Sequence, residues 1–372
     1  MAVDSPFTSY SDTTPHKRAI TDAISLIDPS DIPAVELFGG LDGAMSKFRL
    51  VNWPHTKVEW LEDTLPPLTG TLSTSCTSDT TGISVADASI FQEGHVLLID
   101  SEQVWVSAVN TSTDLVTVTR NYGGTQATHQ SNSTITIVGL ARLEGDDSDD
   151  LAFTDRTAPY NYTQIFHQEI KVSRTQNQLS QYGIAEEFDY QAAKAVPSLG
   201  RLIERQLHYG QRKAGSATTP RAFGGFSTFI TDNLVSGATL AQSQFENAVK
   251  AAYQDGGSGP WVALCSPSNL QKIKNFYDSS NFLRIERAES TVGMVIEDVL
   301  TPYGLVSLAL DRWATDSEIW IVDPDHAGFL TYYPFTQEPL AKDGDYQKGE
   351  VIGEFTFLLR QDKAHAALTN VS

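Results

Sequence analysis

FDYQAAKAVPSLGRLIERQL (Phe188–Leu207) carries one apolar stripe at helical spacing, through Phe188, Ala192, Ala195, Val196, Leu199, Leu202, Ile203 and Leu207. A stripe that keeps its phase over such a stretch describes a single amphipathic rod. Pro197 lies inside it and removes one backbone donor at a cost of about 3 kcal/mol, so it marks a kink or the start of the rod's second half. The spacing predicts a helix over 186–215, ended by Gly215 and the Ser, Thr and Pro of 216–220. The extended sequence before the rod shows no comparable pattern and cannot pack as a compact domain of its own.

Upstream, residues 1–55 mix Ser, Thr, Pro and Asp with short apolar patches at Ile24–Ile27 and Val35–Phe38. Such a segment buries too little surface to offset its ordering entropy, so it reads as an arm laid over neighbouring subunits or wrapped on its own chain. Trp53, Val58 and Trp60 are spaced for an extended strand that stops at Pro66 and Pro67. Composition then shifts to Ser, Thr and Val. Short strands are predicted at 82–85, 96–99, 104–109, 115–120 and 134–138, with a tight hairpin at Asp100–Ser101 and a second turn at Gly123–Gly124. This is a small all-β module, about 69–140, whose polar loops read as ordinary β packing. Residues 157–172 form an extended return leg, and a β module bounded by two extended legs reads as a decorated hairpin.

Downstream of the rod the elements alternate. Thr239 is the expected cap of a helix with the stripe Phe245, Ala248, Val249 and Ala252; a strand follows at Trp261–Cys265; Ser266 and Pro267 open a helix carrying Leu270, Ile273 and Phe276. Strands are predicted at 293–299, 305–310, 318–322, 328–333 and 351–360. In the last, Phe355, Phe357 and Leu359 share one face while Glu354, Thr356 and Arg360 take the other. The fold class is α+β.

The 372 residues are 40% hydrophobic, enough for sizeable cores, and carry 46 acidic against 26 basic side chains for a formal charge of -20. That balance disfavours sequence-specific nucleic-acid binding, which needs Lys and Arg to displace counterions. No run approaches the roughly 18 apolar residues of a membrane span, and Met1–Tyr10 lacks signal-peptide features, so a cytoplasmic origin without membrane contact is expected. The two cysteines, Cys76 and Cys265, exclude a disulfide framework.

The search for chemistry returns little. The eight histidines are scattered and none sits in a zinc-protease pattern, and no glycine cluster matches a nucleotide loop, so no cofactor is expected. Asp146, Asp147, Asp149 and Asp150 offer oxygen ligands but lack the spacing of a calcium loop and read as a solvated acidic loop. Asp323 and His326 in DPDH could serve a hydrolase that binds a polymer through the β module, but Asp-Pro between apolar strands reads better as a turn. Large aromatics on elements without a private core, Phe38, Trp53, Trp60, Tyr160, Tyr162 and Phe166, are the expected assembly contacts.

The order of arm, extended hairpin, long helix and α+β domain resembles the major capsid proteins of tailed phages with the HK97-type fold. The residues that carry it are NYTQIF (Asn161–Phe166), VSRTQ (Val172–Gln176), LIERQLHYG (Leu202–Gly210), ALCSPSNLQKI (Ala263–Ile273), TPYGLVSLALDRW (Thr301–Trp313) and GEFTFLLRQDKAHAALTN (Gly353–Asn370). The branch with a β insertion in the extended loop is the most similar, and GHVLLIDSEQVWV with RNYGGT resembles a β module of phage structural proteins. The resemblance implies an extended loop over 56–165, a peripheral domain over 166–234 built on the spine helix, an axial domain over 235–345 and a C-terminal strand, 346–372, returning to the core. It further implies a virion head of pentamers and hexamers, icosahedral or elongated, around double-stranded DNA. Portal, a separate scaffold and decoration proteins would be partners, with assembly in the host cytoplasm. A cellular nanocompartment shell of the same fold is the other setting, against which the β insertion weighs.

Overall fold

The computed structural model describes residues 30–41, 55–145, 154–179, 184–237, 239–279, 284–285, 296–341 and 343–371. The chain divides into two compact units, Met1–Trp60 with Pro159–Ser372, and Leu61–Ala158.

In the first unit the predicted rod is one helix, Glu187–Tyr209, that runs through Pro197 without a break. It ends earlier than the sequence pattern suggests. A Cβ on Gly210 would lie 2.3 Å from the Gln206 carbonyl, and one on Gly225 would lie 2.0 Å from that of Leu207, so two glycines let the 223–228 turn close over the helix end. Phe188, Ala192, Ala195, Leu199, Ile203 and Leu207 are buried as the stripe requires. Leu202 is the exception at 53% exposure, while Glu204 and His208 take places in the interior. The helix packs on a three-stranded antiparallel sheet ordered Ala327–Pro339, Tyr346–Leu359 and Gln164–Ser173.

A seven-stranded mixed sheet completes this unit, in the order Leu234–Ser236, Ala366–Thr369, Glu318–Val322, Trp261–Cys265, Gly304–Leu310, Ile296–Thr301 and Arg284–Ile285. Its central strand, WVALC, is buried at every residue because it faces two cores. Val262 and Leu264 join the spine-helix core, whereas Trp261, Ala263 and Cys265 join a second core with the helices Gln242–Gln254 and Pro267–Ser279. Ser266 caps the latter helix as expected, its Oγ accepting from the Asn269 amide at 3.3 Å. The former is preceded by Ala241 in place of the expected Thr239.

Two sequence-based boundaries move. The division at 345 falls between the paired strands Ala327–Pro339 and Tyr346–Leu359, so the first of these belongs with the three-stranded sheet. The described part of the C-terminal segment, 346–371, holds two strands in two different sheets, Tyr346–Leu359 and Ala366–Thr369. Both faces of 353–359 are buried, Thr356 as fully as Phe355. The legs of the long hairpin pair as read: Lys57–Glu59 runs antiparallel to Tyr160–Tyr162, with Lys57 opposite Tyr162.

The second unit is a six-stranded antiparallel sheet whose end strands, Thr69–Thr71 and Gly82–Ser84, meet through the Leu72–Val85 bridge and the Ala86 N–H to Thr71 carbonyl bond at 3.0 Å. Joining first strand to last removes the open edges of a sheet. The core is Leu72, Ile83, Leu97, Ile99, Val104, Val106, Val116 and Ile135 among others. Asp100, at φ 53, forms the two-residue hairpin with Ser101. Gly123 lies within the strand Leu115–Gly123, and the second hairpin turn is at residues 111–114.

Candidate functional site

In a chain of linked arms, legs and rod, the residues that matter are those that fix one part to another; among the described residues two buried polar nodes do so, and a third holds the β module together. The first lies on the spine helix. Glu204 is fully buried and turns its carboxylate to the arm: Oε1 accepts the Ala34 amide at 2.7 Å and Oε2 the Val35 amide at 2.9 Å, at the start of the short helix Pro33–Leu37. Three further bonds secure the arm residues. The Phe329 amide donates to the Phe38 carbonyl at 2.9 Å, Thr331 Oγ1 to the Leu41 carbonyl at 3.2 Å, and Trp313 Nε1 to the Asp31 carbonyl at 2.8 Å. Beneath Glu204, His208 Nε2 donates to Asp311 Oδ2 at 2.5 Å, and Asp311 Oδ1 accepts the Trp313 amide at 2.8 Å. Burial, and then the neighbouring Asp311, push the Glu204 carboxyl well above its ordinary range. One ligand-type atom from each of Glu204, His208 and Asp311 lies within 4.8 Å of the others, the set among the described residues that could hold a metal ion.

The second node roots the hairpin. Asn161 is completely buried with all four hydrogen-bonding capacities used: Nδ2 donates to the Gly224 carbonyl at 3.0 Å and the Phe357 carbonyl at 2.6 Å, while Oδ1 accepts the Gly224 amide at 2.8 Å and the Tyr162 amide at 2.9 Å. Beside it, the Tyr160 ring receives Lys57 Nζ at 4.0 Å and the Arg212 guanidinium at 3.9 Å from its centroid, and Arg212 Nη1 donates to the Tyr160 carbonyl at 2.7 Å.

The third node is internal to the β module. Glu102 is fully buried, and its carboxylate accepts Arg120 Nε at 2.8 Å and Nη2 at 2.7 Å, the Asn121 and Ala127 amides at 3.2 and 2.9 Å, and His129 Nε2 at 3.1 Å. Arg120 spends its other donors on the carbonyls of Thr77, Thr80 and Ala127. Desolvation raises the Glu102 pKa, but the Arg120, amide and His129 hydrogen bonds outweigh it and hold the group at about 2. Nothing in the sequence reading assigned this role to Glu102, although it shares the buried face of its strand with Val104 and Val106.

The aromatics expected at assembly contacts are placed differently. Phe38, Trp60 and Phe166 are 3, 6 and 6% exposed and belong to cores of their own subunit. Phe38 meets Phe226 and Phe357 edge-on at 5.7 and 5.8 Å, and Trp60 packs with Val58, Leu330 and Leu358. Such side chains offer no area to a neighbour, because the sequence segments that lack a private core borrow the common one. Tyr160 and Tyr162 are half-buried; Trp53 and Asp146, Asp147, Asp149 and Asp150 lie outside the described residues. The exposed apolar groups are mostly leucines: Leu202 and Leu179 on the first unit, and Leu61, Leu65, Leu68 and Leu143 on the second. A polar groove of about 490 Å³ follows residues 168–173 of the edge strand Gln164–Ser173.

DPDH closes a turn. The Asp323 carboxylate accepts the Asp325 amide at 2.9 Å and His326 Nδ1 at 3.1 Å. The Asp323 amide donates to His365 Nδ1 at 3.0 Å, and His365 Nε2 donates to the Arg360 carbonyl at 3.0 Å. The imidazole is therefore the neutral Nε2–H tautomer, and burial lowers its pKa to about 4.

No curated protein sequence matches this chain. The model of the SU10 major capsid protein family does, over residues 6–372. The chain belongs to that family. The capsid of cyanophage A-1(L) superposes with a TM-score of 0.56 at 10% identity, over 98% of this chain and 99% of that one. The capsid of an empty GTA particle gives 0.52 at 9% identity over the whole of both chains, and a Mycobacterium phage Bobi chain gives 0.50 at 12% identity over 98 and 99%. At such identities these likenesses speak for fold alone, and the fold is the HK97-type capsid fold. The capsid protein is thus a structural component of a virion that assembles into shells. Neither the hydrolase nor the nanocompartment alternative is favoured.

Proposed function

We propose that this capsid protein forms the head of a tailed phage as pentamers and hexamers closed around double-stranded DNA, assembled in the host cytoplasm on a separate scaffold, with a portal at one vertex and decoration proteins outside. The observation that carries the reading is the family match across nearly the whole chain, together with a subunit whose arm, hairpin legs and spine helix are joined by buried polar nodes. The acidic balance, 46 against 26, supports a wall that repels packed phosphate. Expression of the chain with its candidate scaffold, followed by light scattering and electron microscopy, tests the reading. Shells, or rings of five and six, are expected. A 40.7 kDa monomer that persists at high concentration and with scaffold would contradict it.

A further inference from the structure

Glu204 and His208 stand four residues apart on one face of the spine helix, and Asp311 follows the end of the strand Gly304–Leu310, its amide donating to the Cys265 carbonyl at 2.8 Å. All three are completely buried. With both carboxylates ionised, this buried trio is short of positive charge, and a buried carboxylate without a cation is costly. No Lys or Arg among the described residues reaches the group, in contrast to Glu102 and its Arg120. A divalent ion with a neutral imidazole would bring the trio to zero net charge.

The geometry suits a zinc-type ion. Zinc holds nitrogen and oxygen donors at about 2.0–2.2 Å, which sets neighbouring donors about 3.5 Å apart. The three donors here already lie within 4.8 Å of one another, and the 2.5 Å contact of His208 with Asp311 has only to open by about 1 Å. The surroundings are those that orient metal ligands. Amides of Ala34 and Val35 hold Glu204, and the Trp313 amide holds the second oxygen of Asp311. The remaining ring nitrogen, His208 Nδ1, is buried without a partner among the described residues; so is Oε2 of Glu318, whose charge acts on the same imidazole. A carboxylate behind a ligating histidine is the usual arrangement, and it would give both orphaned atoms a purpose.

We propose that Glu204, His208 and Asp311 form a structural site for a zinc-type divalent cation that staples the arm at Pro33–Leu37 to the spine helix. The inference does not depend on the capsid reading.

Full-length protein, stripped with a chelator, is titrated with zinc chloride in a calorimeter and with cobalt chloride by visible absorption. The expected result is one ion per chain, a saturable cobalt absorption band and slower hydrogen exchange at Ala34 and Val35. His208→Ala and Asp311→Asn should abolish uptake. Glu318→Gln leaves the three ligands in place and should weaken binding by about tenfold. His167→Ala, which removes a partly exposed imidazole on the edge strand, should change nothing. Absence of saturable uptake by the native chain overturns the proposal in favour of a proton shared between the carboxylates, as does uptake that survives His208→Ala. Should the ligand variants fail to fold, unchanged affinity in Glu318→Gln overturns it.

Discussion

The β module and the spine region bury their charges in opposite ways. In the module, Glu102 meets Arg120, and its protein partners all lie within 27 residues of it in the chain. The cluster is balanced, and its carboxyl is held low. In the spine region Glu204 meets amides 170 and 169 residues away and a second carboxylate, and its carboxyl is held high. A balanced local cluster lets an inserted unit fold on its own contacts. An unbalanced cluster built from distant segments forms only when arm, helix and sheet are all in place.

The largest effect is expected from unbalancing the module. Arg120→Ala leaves Glu102 buried without its guanidinium partner, at a cost of about 3–5 kcal/mol. Denaturant unfolding followed at Trp105, the module's one tryptophan, measures it; a loss under about 1 kcal/mol would remove the contrast.

Acid should separate the two regions next. His365 is neutral when folded, with its pKa lowered from 6.5 to about 4, so the unfolded chain takes the proton first. His365 therefore contributes its full share of the first unit's stability above about pH 6.5, and that share, up to about 3 kcal/mol, is lost as pH falls towards 4. Glu102, lowered from 4.5 to about 2, also stabilises the folded state above its unfolded value, and its contribution is lost only between those two values. Unfolding curves taken at a series of pH values should show the first unit weakening before the module.

Asn161→Ala removes four buried hydrogen bonds at the hairpin root and should cost about 2 kcal/mol, read as a shift in the denaturation midpoint of the first unit with the module unchanged. The smallest effect belongs to Leu202→Gln. Its side chain is more than half exposed, so subunit stability should move by less than about 0.5 kcal/mol; a larger loss would return Leu202 to the core stripe.

Much of the frame was legible in the sequence. The spine helix and the strand Trp261–Cys265 followed from apolar spacing, and the Asp100–Ser101 hairpin from its turn residues. The nodes were not. Glu204 and His208 look like the solvent face of an amphipathic helix, and only an arm and a strand end from elsewhere in the chain turn that face inward. Glu102 carried a usable signal, since alternation with Val104 and Val106 puts it on the buried side, but its partner Arg120 sits past a bulged register. The aromatics misled for the same reason as the helix face: segments too short for a core of their own contribute Phe38, Trp60 and Phe166 to a shared one.

The central claim, that the module is self-sufficient whereas the first unit is held by long-range polar nodes, is tested most directly by pulse-labelled hydrogen exchange on the full chain as it is acidified from neutral pH. The strands Glu102–Asn110 and Leu115–Gly123 should keep their protection at a pH near 4, where Ala366–Thr369 beside His365 has lost its own. Loss of protection in the module first, or in both at one pH, would contradict the account.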